Sequence, residues 1–170
     1  YRKGGDSLIG RYHYYRLHPL SLGEIKSFSN LDRLLKFGGF PEPFFAQDEI
    51  QLRRWQNERF SRIIYEDLRD LERVREVSLI EMLLEILTTK VGSPLSIKNI
   101  REEMDVAHQS VENWIKILER LYVVFRIPPY GSPKIRAVKK EQKLYFWDWS
   151  IIEDPGVRLE NMLACQLLKV

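Results

Sequence analysis

Three polar side chains in the second half of the chain have residue types suited to contact with nucleic acid. Gln109 and Asn113 carry amides that can form paired hydrogen bonds with adenine, and the ammonium group of Lys116 can bind a phosphate. Glu112 and Glu119 in the same stretch would repel phosphates. This balance predicts weak base reading at most, and it leaves a packing or partner role open for the same residues.

A run of cations follows about twenty residues later. It contains one acid, Glu141, and five basic residues: Lys134, Arg136, Lys139, Lys140 and Lys143. Such a cluster is typical of a surface that contacts phosphates, but also of an ordinary solvated face. The net charge of +3 for the whole chain is too small to indicate a polyanionic partner by itself.

The elements that would position these residues lie in SPLSIKNIREEMDVAHQSVENWIKILERLYVVFRI, from Ser93 to Ile127. Ser96 is a suitable N-cap for a helix over about 97–104, and DVA then turns the chain. Apolar residues at helical spacing predict a second helix over about 108–120. The β-branched and aromatic stretches YVVFRI and KLYFWDWSI predict a hairpin, with the basic run between its strands. This order is typical of a winged helix, whose second helix can enter the major groove and whose wing can contact phosphates.

The sequence of the first half of the chain predicts mostly helices. Alternation over about 12–17 predicts a strand, and SLGE after it has the spacing of a capping box. A short helix should end at Gly38-Gly39, and the prolines that follow should prevent its restart. Helices are predicted over about 48–77 and over SLIEMLLEILTTKVG, the latter with Ser78 as a possible cap.

These patterns predict a mainly α chain with a small β component (α+β). A segment with one strand and several helices would occupy residues 1–92, and a winged helix-turn-helix residues 93–150. Residues 151–170 would begin a further domain with an apolar helix entered through Asp154-Pro155-Gly156.

No apolar run is long enough to span a membrane. A single cysteine, Cys165, favours a reducing compartment, so the expected location is the cytoplasm. Cys165 itself is expected to be a small buried hydrophobic residue.

Four stretches stand in one order along the chain: GRYHYYRLHPLSLGE, GGFPE, YEDLRDLERV, and KLYFWDWSI followed by LEN. This series resembles prokaryotic AAA-type ATPases that carry a C-terminal domain of unknown function, DUF4143. The resemblance implies that the chain is the C-terminal portion of a longer ATPase, which would bind ATP and Mg²⁺. It implies that residues 1–92 are the end of the ATPase core and a helical lid-like segment. It also implies that Arg11 lies near the nucleotide in that parent protein, although a surface role for Arg11 remains open.

The chain contains no GxxxxGK[ST] phosphate-binding loop, so it should bind no nucleotide and be inactive by itself. The same resemblance extends to a nuclease-like C-terminal domain, in which Glu160 would occupy an acidic helix position. One carboxylate cannot build a metal site, and Glu160 is expected to be a surface residue. Asp148 in FWDWS is expected to be a turn or cap residue.

The resulting expectation is a regulatory module linked to a nucleotide-driven switch, whose winged helix contacts double-stranded DNA or a partner protein. Self-association is a further possibility. The alternatives are a stand-alone DNA-binding transcription regulator and part of a nuclease-like protein. Whether the chain belongs to an enzyme stays open at this point.

Overall fold

The computed structural model describes residues 13, 15–25, 30–63, 77–130 and 142–169. Five residues singled out from the sequence lie outside this part of the chain: Arg11, Lys134, Arg136, Lys139 and Lys140.

The described chain is mainly helical with one small antiparallel sheet, as the sequence predicted. Its α-helices are α1 (Leu22–Ile25), α2 (Leu31–Phe37), α3 (Pro41–Ala46), α4 (Glu49–Arg62), α5 (Val77–Thr89), α6 (Ile97–Met104), α7 (His108–Arg120) and α8 (Pro155–Leu167). The strands are β1 (Val124–Ile127) and β2 (Lys143–Phe146), and a 3-10 turn spans Trp149–Ile151.

Helices α6 and α7 form the predicted helix-turn-helix. The Ser96 hydroxyl accepts a hydrogen bond from the Asn99 amide at 3.4 Å and so caps α6. Asp105 then adopts a left-handed conformation, with φ of 52°, which ends α6 and turns the chain toward α7. Val111, Trp114, Ile115 and Leu118 form the buried face of α7. The predicted helical periodicity is thereby confirmed.

The hairpin places β1 and β2 in a register that pairs Val124 with Phe146 and Ile127 with Lys143. A third segment, just before α6, adds to the far side of β2. There the Gly92 amide donates to the Leu144 carbonyl at 3.2 Å and the Leu95 amide to the Gln142 carbonyl at 2.9 Å. The segment from Gly92 to Leu95 therefore lies along the outer edge of the two-stranded sheet.

The hydrophobic core runs through the whole described chain. One cluster of buried side chains contains Leu34 of α2, Leu87 of α5, Ile115 of α7 and Met162 of α8. The proposed domain boundaries after residues 92 and 150 stay predictions, and buried side chains on both sides of each boundary belong to this one cluster.

Three local predictions in the first half are wrong and one is confirmed. Tyr15–Leu17 form no strand: the segment pairs with no other part of the described chain, and Tyr15 and Leu17 are 80% and 95% exposed. Helix α3 starts at Pro41, since the first helical position needs no amide donor and suits the fixed φ of proline. Ser78 lies inside α5 and does not cap it.

Glu24 does close the predicted capping box, since its carboxylate accepts from the Ser21 amide at 2.8 Å.

Candidate nucleic-acid interface and the joint behind it

The outward face of α7 carries polar side chains that bind one another. The Gln109 amide donates to Asn113 Oδ1 at 2.9 Å, one helical turn away. Lys116 Nζ lies 3.1 Å from Glu112 Oε1, and this hydrogen bond lowers the pKa of the Glu112 carboxyl. The three residues predicted to contact DNA from α7 are therefore exposed on one helix but already have partners. To contact a base or a phosphate, they would have to exchange these bonds.

Glu119, at the end of the same helix, is neutralised from the neighbouring strand. Arg126 of β1 donates to its carboxylate twice, with N–O distances of 2.7 and 2.9 Å. Both side chains are largely buried, at 20% exposure for Arg126 and 27% for Glu119. This two-pronged ion pair removes the repulsion of phosphates that the sequence predicted for Glu119. The helical periodicity of α7 gives no information about a partner in β1, so this ion pair could not be predicted from it.

The connection between β1 and β2 has a local excess of positive charge. Residues 131–141 contain four cations and one acid, a net charge of +3, and residues 1–20 have the same balance. The connection itself lies outside the described residues. The strand residues that flank it, Ile127 and Lys143, are described and pair with each other.

At the opposite end of the hairpin, the polar side chains of Asp148, Ser150 and Arg59 form a buried joint between the hairpin and α4. The Asp148 side chain is 4% exposed, and its Oδ2 lies 3.5 Å from a terminal nitrogen of Arg59 in α4. Its Oδ1 accepts from the Ser150 amide at 3.1 Å and the Ser150 hydroxyl at 2.6 Å. Burial raises the pKa of the Asp148 carboxyl, and the nearby Arg59 guanidinium opposes that rise. Asp148 thus caps the 3-10 turn, as predicted, and also binds α4, which was not predicted.

The Gly38-Gly39 pair lies against the same joint. Gly38 has φ of 79°, and a Cβ atom there would lie 3.0 Å from Asp148 Oδ1. A Cβ atom on Gly39 would lie 2.5 Å from the ring of Trp149, whose indole nitrogen donates to the Leu34 carbonyl at 2.9 Å. Two of the stretches quoted from the sequence, GGFPE and FWDWS, therefore contain residues that pack against each other.

Glu160 and Cys165 have structural partners in the sheet. The Glu160 carboxylate accepts from the Tyr145 hydroxyl at 2.8 Å and the Lys143 ammonium at 3.0 Å. Burial and this carboxylate raise the pKa of Tyr145 to about 12. Cys165 is buried, as predicted, and donates to the Phe146 carbonyl at 3.2 Å.

Among the residues that the structure describes, no group of three His, Cys, Asp or Glu side chains could hold a metal ion. In the same residues, no helix is both long and apolar enough to cross a membrane.

Comparison with known proteins gives one family. A model described as a domain of unknown function (DUF8612) matches residues 28–154. Two curated proteins of Methanocaldococcus jannaschii are similar to the chain, the uncharacterized proteins MJ1544 and MJ1637. MJ1544 is 25% identical over 190 residues, which cover 95% of this chain and 43% of MJ1544. MJ1637 is 28% identical over 121 residues, which cover 69% of this chain and 25% of MJ1637. The chain thus spans less than half the length of either relative. No solved structure gives a significant match.

The match overturns the resemblance to AAA-type ATPases with a DUF4143 domain. The matching model is a different one, and neither relative has a name that refers to an ATPase. The quoted motifs misled because they are short and contain residues that packing also requires, such as Gly39 against Trp149. The expectation of ATP and Mg²⁺ in a longer parent protein, and of a nucleotide near Arg11, rested on that resemblance alone and stays untested.

Proposed function

The chain belongs to the family of the domain of unknown function DUF8612. We propose that it is an interaction module of a longer protein, since it spans less than half the length of either relative. Its winged helix contacts the phosphate backbone of double-stranded DNA through the connection between β1 and β2. The module recognises charge and duplex shape more than base sequence. We place it in the cytoplasm, on the grounds of its single cysteine and its proposed partner.

The observation that carries this proposal is the location of the charge. The four cations Lys134, Arg136, Lys139 and Lys140 give residues 131–141 a net charge of +3. The strand residues that flank this segment, Ile127 and Lys143, pair with each other at the end of the hairpin. In winged helices, this connection is the wing, which can bind the phosphates of a duplex beside the second helix.

The partners of the α7 side chains support backbone contact over base reading. Gln109 and Asn113 bind each other, and Lys116 is paired with Glu112. The first three turns of α7 contain no arginine, the residue that most often reads guanine. Affinity should therefore come mainly from phosphate contacts, which are insensitive to sequence and sensitive to salt.

A partner protein is the second candidate, and it is favoured by two different surfaces. The α7 face has balanced charges, since Glu112 and Glu119 both have basic partners. The outer side of α8 exposes Leu163 and Leu167, whose side chains are 47% and 74% exposed. Both surfaces are compatible with protein contact or self-association.

A duplex titration discriminates between these proposals. A labelled duplex of random sequence would be titrated at low salt with the wild-type chain and with a variant in which Lys134, Arg136, Lys139 and Lys140 are changed to alanine. The control replaces four exposed or half-exposed cations of α2 and α4 by alanine: Lys36, Arg53, Arg54 and Arg62. Both variants lose the same net charge. The proposal expects binding to be lost only in the first variant.

Equal loss in both variants would show that only the total charge matters, and it would contradict a defined binding surface. No binding by the wild-type chain would favour the partner protein instead. A stand-alone transcription regulator predicts a strong preference for one duplex sequence, which a competition between duplexes would detect. The nuclease-like alternative depends on acidic residues outside this chain and stays a prediction.

A further inference from the structure

Arg59 of α4 contacts the hairpin at two points, just before β1 and just after β2. One terminal nitrogen lies 3.5 Å from Asp148 Oδ2, just after β2, and the other donates to the Tyr122 carbonyl at 3.3 Å, just before β1. The guanidinium also lies over the Phe40 ring, 4.2 Å from its centroid. One side chain therefore joins the first half of the chain to the two points where the hairpin begins and ends.

A second contact supports the same junction. Gln56, one turn before Arg59, donates to the Ser150 hydroxyl at 2.9 Å. That hydroxyl in turn donates to Asp148 Oδ1 at 2.6 Å. The Asp148 carboxylate is thus held by a chain of hydrogen bonds that starts on α4, and its position depends on that helix.

We propose that Arg59 is a positioning residue that fixes the hairpin, and with it the two strand ends that the basic connection joins, relative to helices α2–α4. This proposal rests on the proposed function for its consequence in DNA binding, but not for the coupling itself. Loss of the guanidinium leaves the Asp148 carboxylate buried without a cationic partner, which is a strongly unfavourable arrangement. The segment that carries Asp148 should then move toward water, and β2 should lose its anchor.

Hydrogen exchange on the full chain tests the coupling without DNA. In Arg59→Met, we expect exchange of residues 123–127 and 143–148 to become faster by about tenfold or more, because local opening no longer breaks a buried ion pair. Exchange of the α7 amides should change by less than about threefold, because these amides exchange only when the whole chain unfolds. The matched control is Arg54→Met, since Arg54 is an exposed arginine of the same helix that pairs with Glu58.

The double variant Arg59→Met/Asp148→Asn separates the ion pair from simple packing of the arginine stem. It removes both charges, so it should recover most of the slow hairpin exchange that Arg59→Met loses. It also keeps the test decisive if Arg59→Met fails to fold, because the double variant is expected to fold. Absence of recovery in the double variant would overturn the proposal.

Unchanged hairpin exchange in Arg59→Met, or an equal increase in the hairpin and in α7, would equally overturn it. The second arm of the experiment repeats the duplex titration with Arg59→Met. A lower affinity is expected there, since the two strands that carry the basic connection would lose their fixed position. Failure of the wild-type chain to bind DNA would refute the proposed function alone, whereas the exchange result would still decide the coupling.

Discussion

Asn161 of α8 binds both backbone groups of Phe146 in β2. Its Oδ1 accepts from the Phe146 amide at 2.8 Å, and its Nδ2 donates to the Phe146 carbonyl at 2.6 Å. The rest of that edge of β2 is paired with the segment before α6, through Leu144 and Gln142. A side chain thus completes the hydrogen bonding of an edge strand, which would otherwise expose backbone groups.

Asn161→Ala should lower the free energy of unfolding by about 1–3 kcal/mol, because the buried Phe146 amide loses its partner, whereas the Phe146 carbonyl keeps the Cys165 thiol. Urea denaturation followed by circular dichroism measures this change. The control is Asn57→Ala, at an exposed position of α4, which should have little effect. If both variants were equally stable, the amide of Asn161 would have no special role at the strand edge.

Gly39→Ala should destabilise the chain by about 1–3 kcal/mol, as expected for an overpacked core position. The added methyl group would lie 2.5 Å from the Trp149 ring and 2.6 Å from Pro19, so one of these groups must shift. Gly23→Ala is the matched control, because nothing lies within 4 Å of its Cβ position. Its stability should stay the same or rise by less than about 1 kcal/mol, since alanine favours helix. Thermal denaturation of both variants checks the difference, and a stable Gly39→Ala variant would contradict this packing.

The pair of Glu24 and Lys169 predicts a pH dependence of stability. The hydrogen bond from Lys169, with those from Ser21, lowers the pKa of Glu24 from 4.5 to about 2. A carboxyl whose pKa is depressed in the folded state stabilises it above the unfolded pKa, and this contribution is lost as the pH falls toward about 2. Because the Glu24 side chain is 49% exposed, solvent screening limits the effect to about 1 kcal/mol or less.

Glu24→Gln should therefore lose less stability than the wild-type chain between pH 6 and pH 2.5. Urea denaturation at the two pH values measures the difference. Glu42→Gln, at an exposed position of α3, serves as the control and should follow the wild-type chain. A Glu24→Gln variant with the pH dependence of the wild-type chain would show that this ion pair does not form in solution.

Replacement of both Gln109 and Asn113 by alanine should change the affinity for a random duplex by less than about threefold. A true amide–adenine contact would be worth about 1–3 kcal/mol of discrimination between bases, and these two amides bind each other instead. Competition between duplexes of different sequence measures the preference directly. The four-alanine variant of the basic connection is the comparison. A strong sequence preference that disappears with the two amides would assign base reading to α7.

The winged helix was predictable because its signals are local. Ser96 stands at the start of α6, and Val111, Ile115 and Leu118 recur on one face of α7. Strand content on both sides of a basic segment was enough to predict the hairpin. In each case, residues within one or two turns determine the element, so a single sequence contains the information.

The joint and the third sheet segment were not predictable, because their partners are far apart in the sequence. Nothing near Arg59 indicates that it meets Asp148, and nothing near Gly92 indicates that it pairs with Leu144. The helix at Pro41 was missed for a different reason. Proline was treated as a helix breaker, although it is favoured at the first position of a helix.

The salt dependence of duplex binding tests the central claim most directly. If the four cations of the β1–β2 connection each contact a phosphate, the logarithm of the association constant should fall against the logarithm of salt concentration with a slope of about −3 to −4. In the variant with Lys134, Arg136, Lys139 and Lys140 changed to alanine, binding should be too weak to measure. An unchanged slope in that variant, or no binding by the wild-type chain at low salt, would contradict the proposed role of the winged helix.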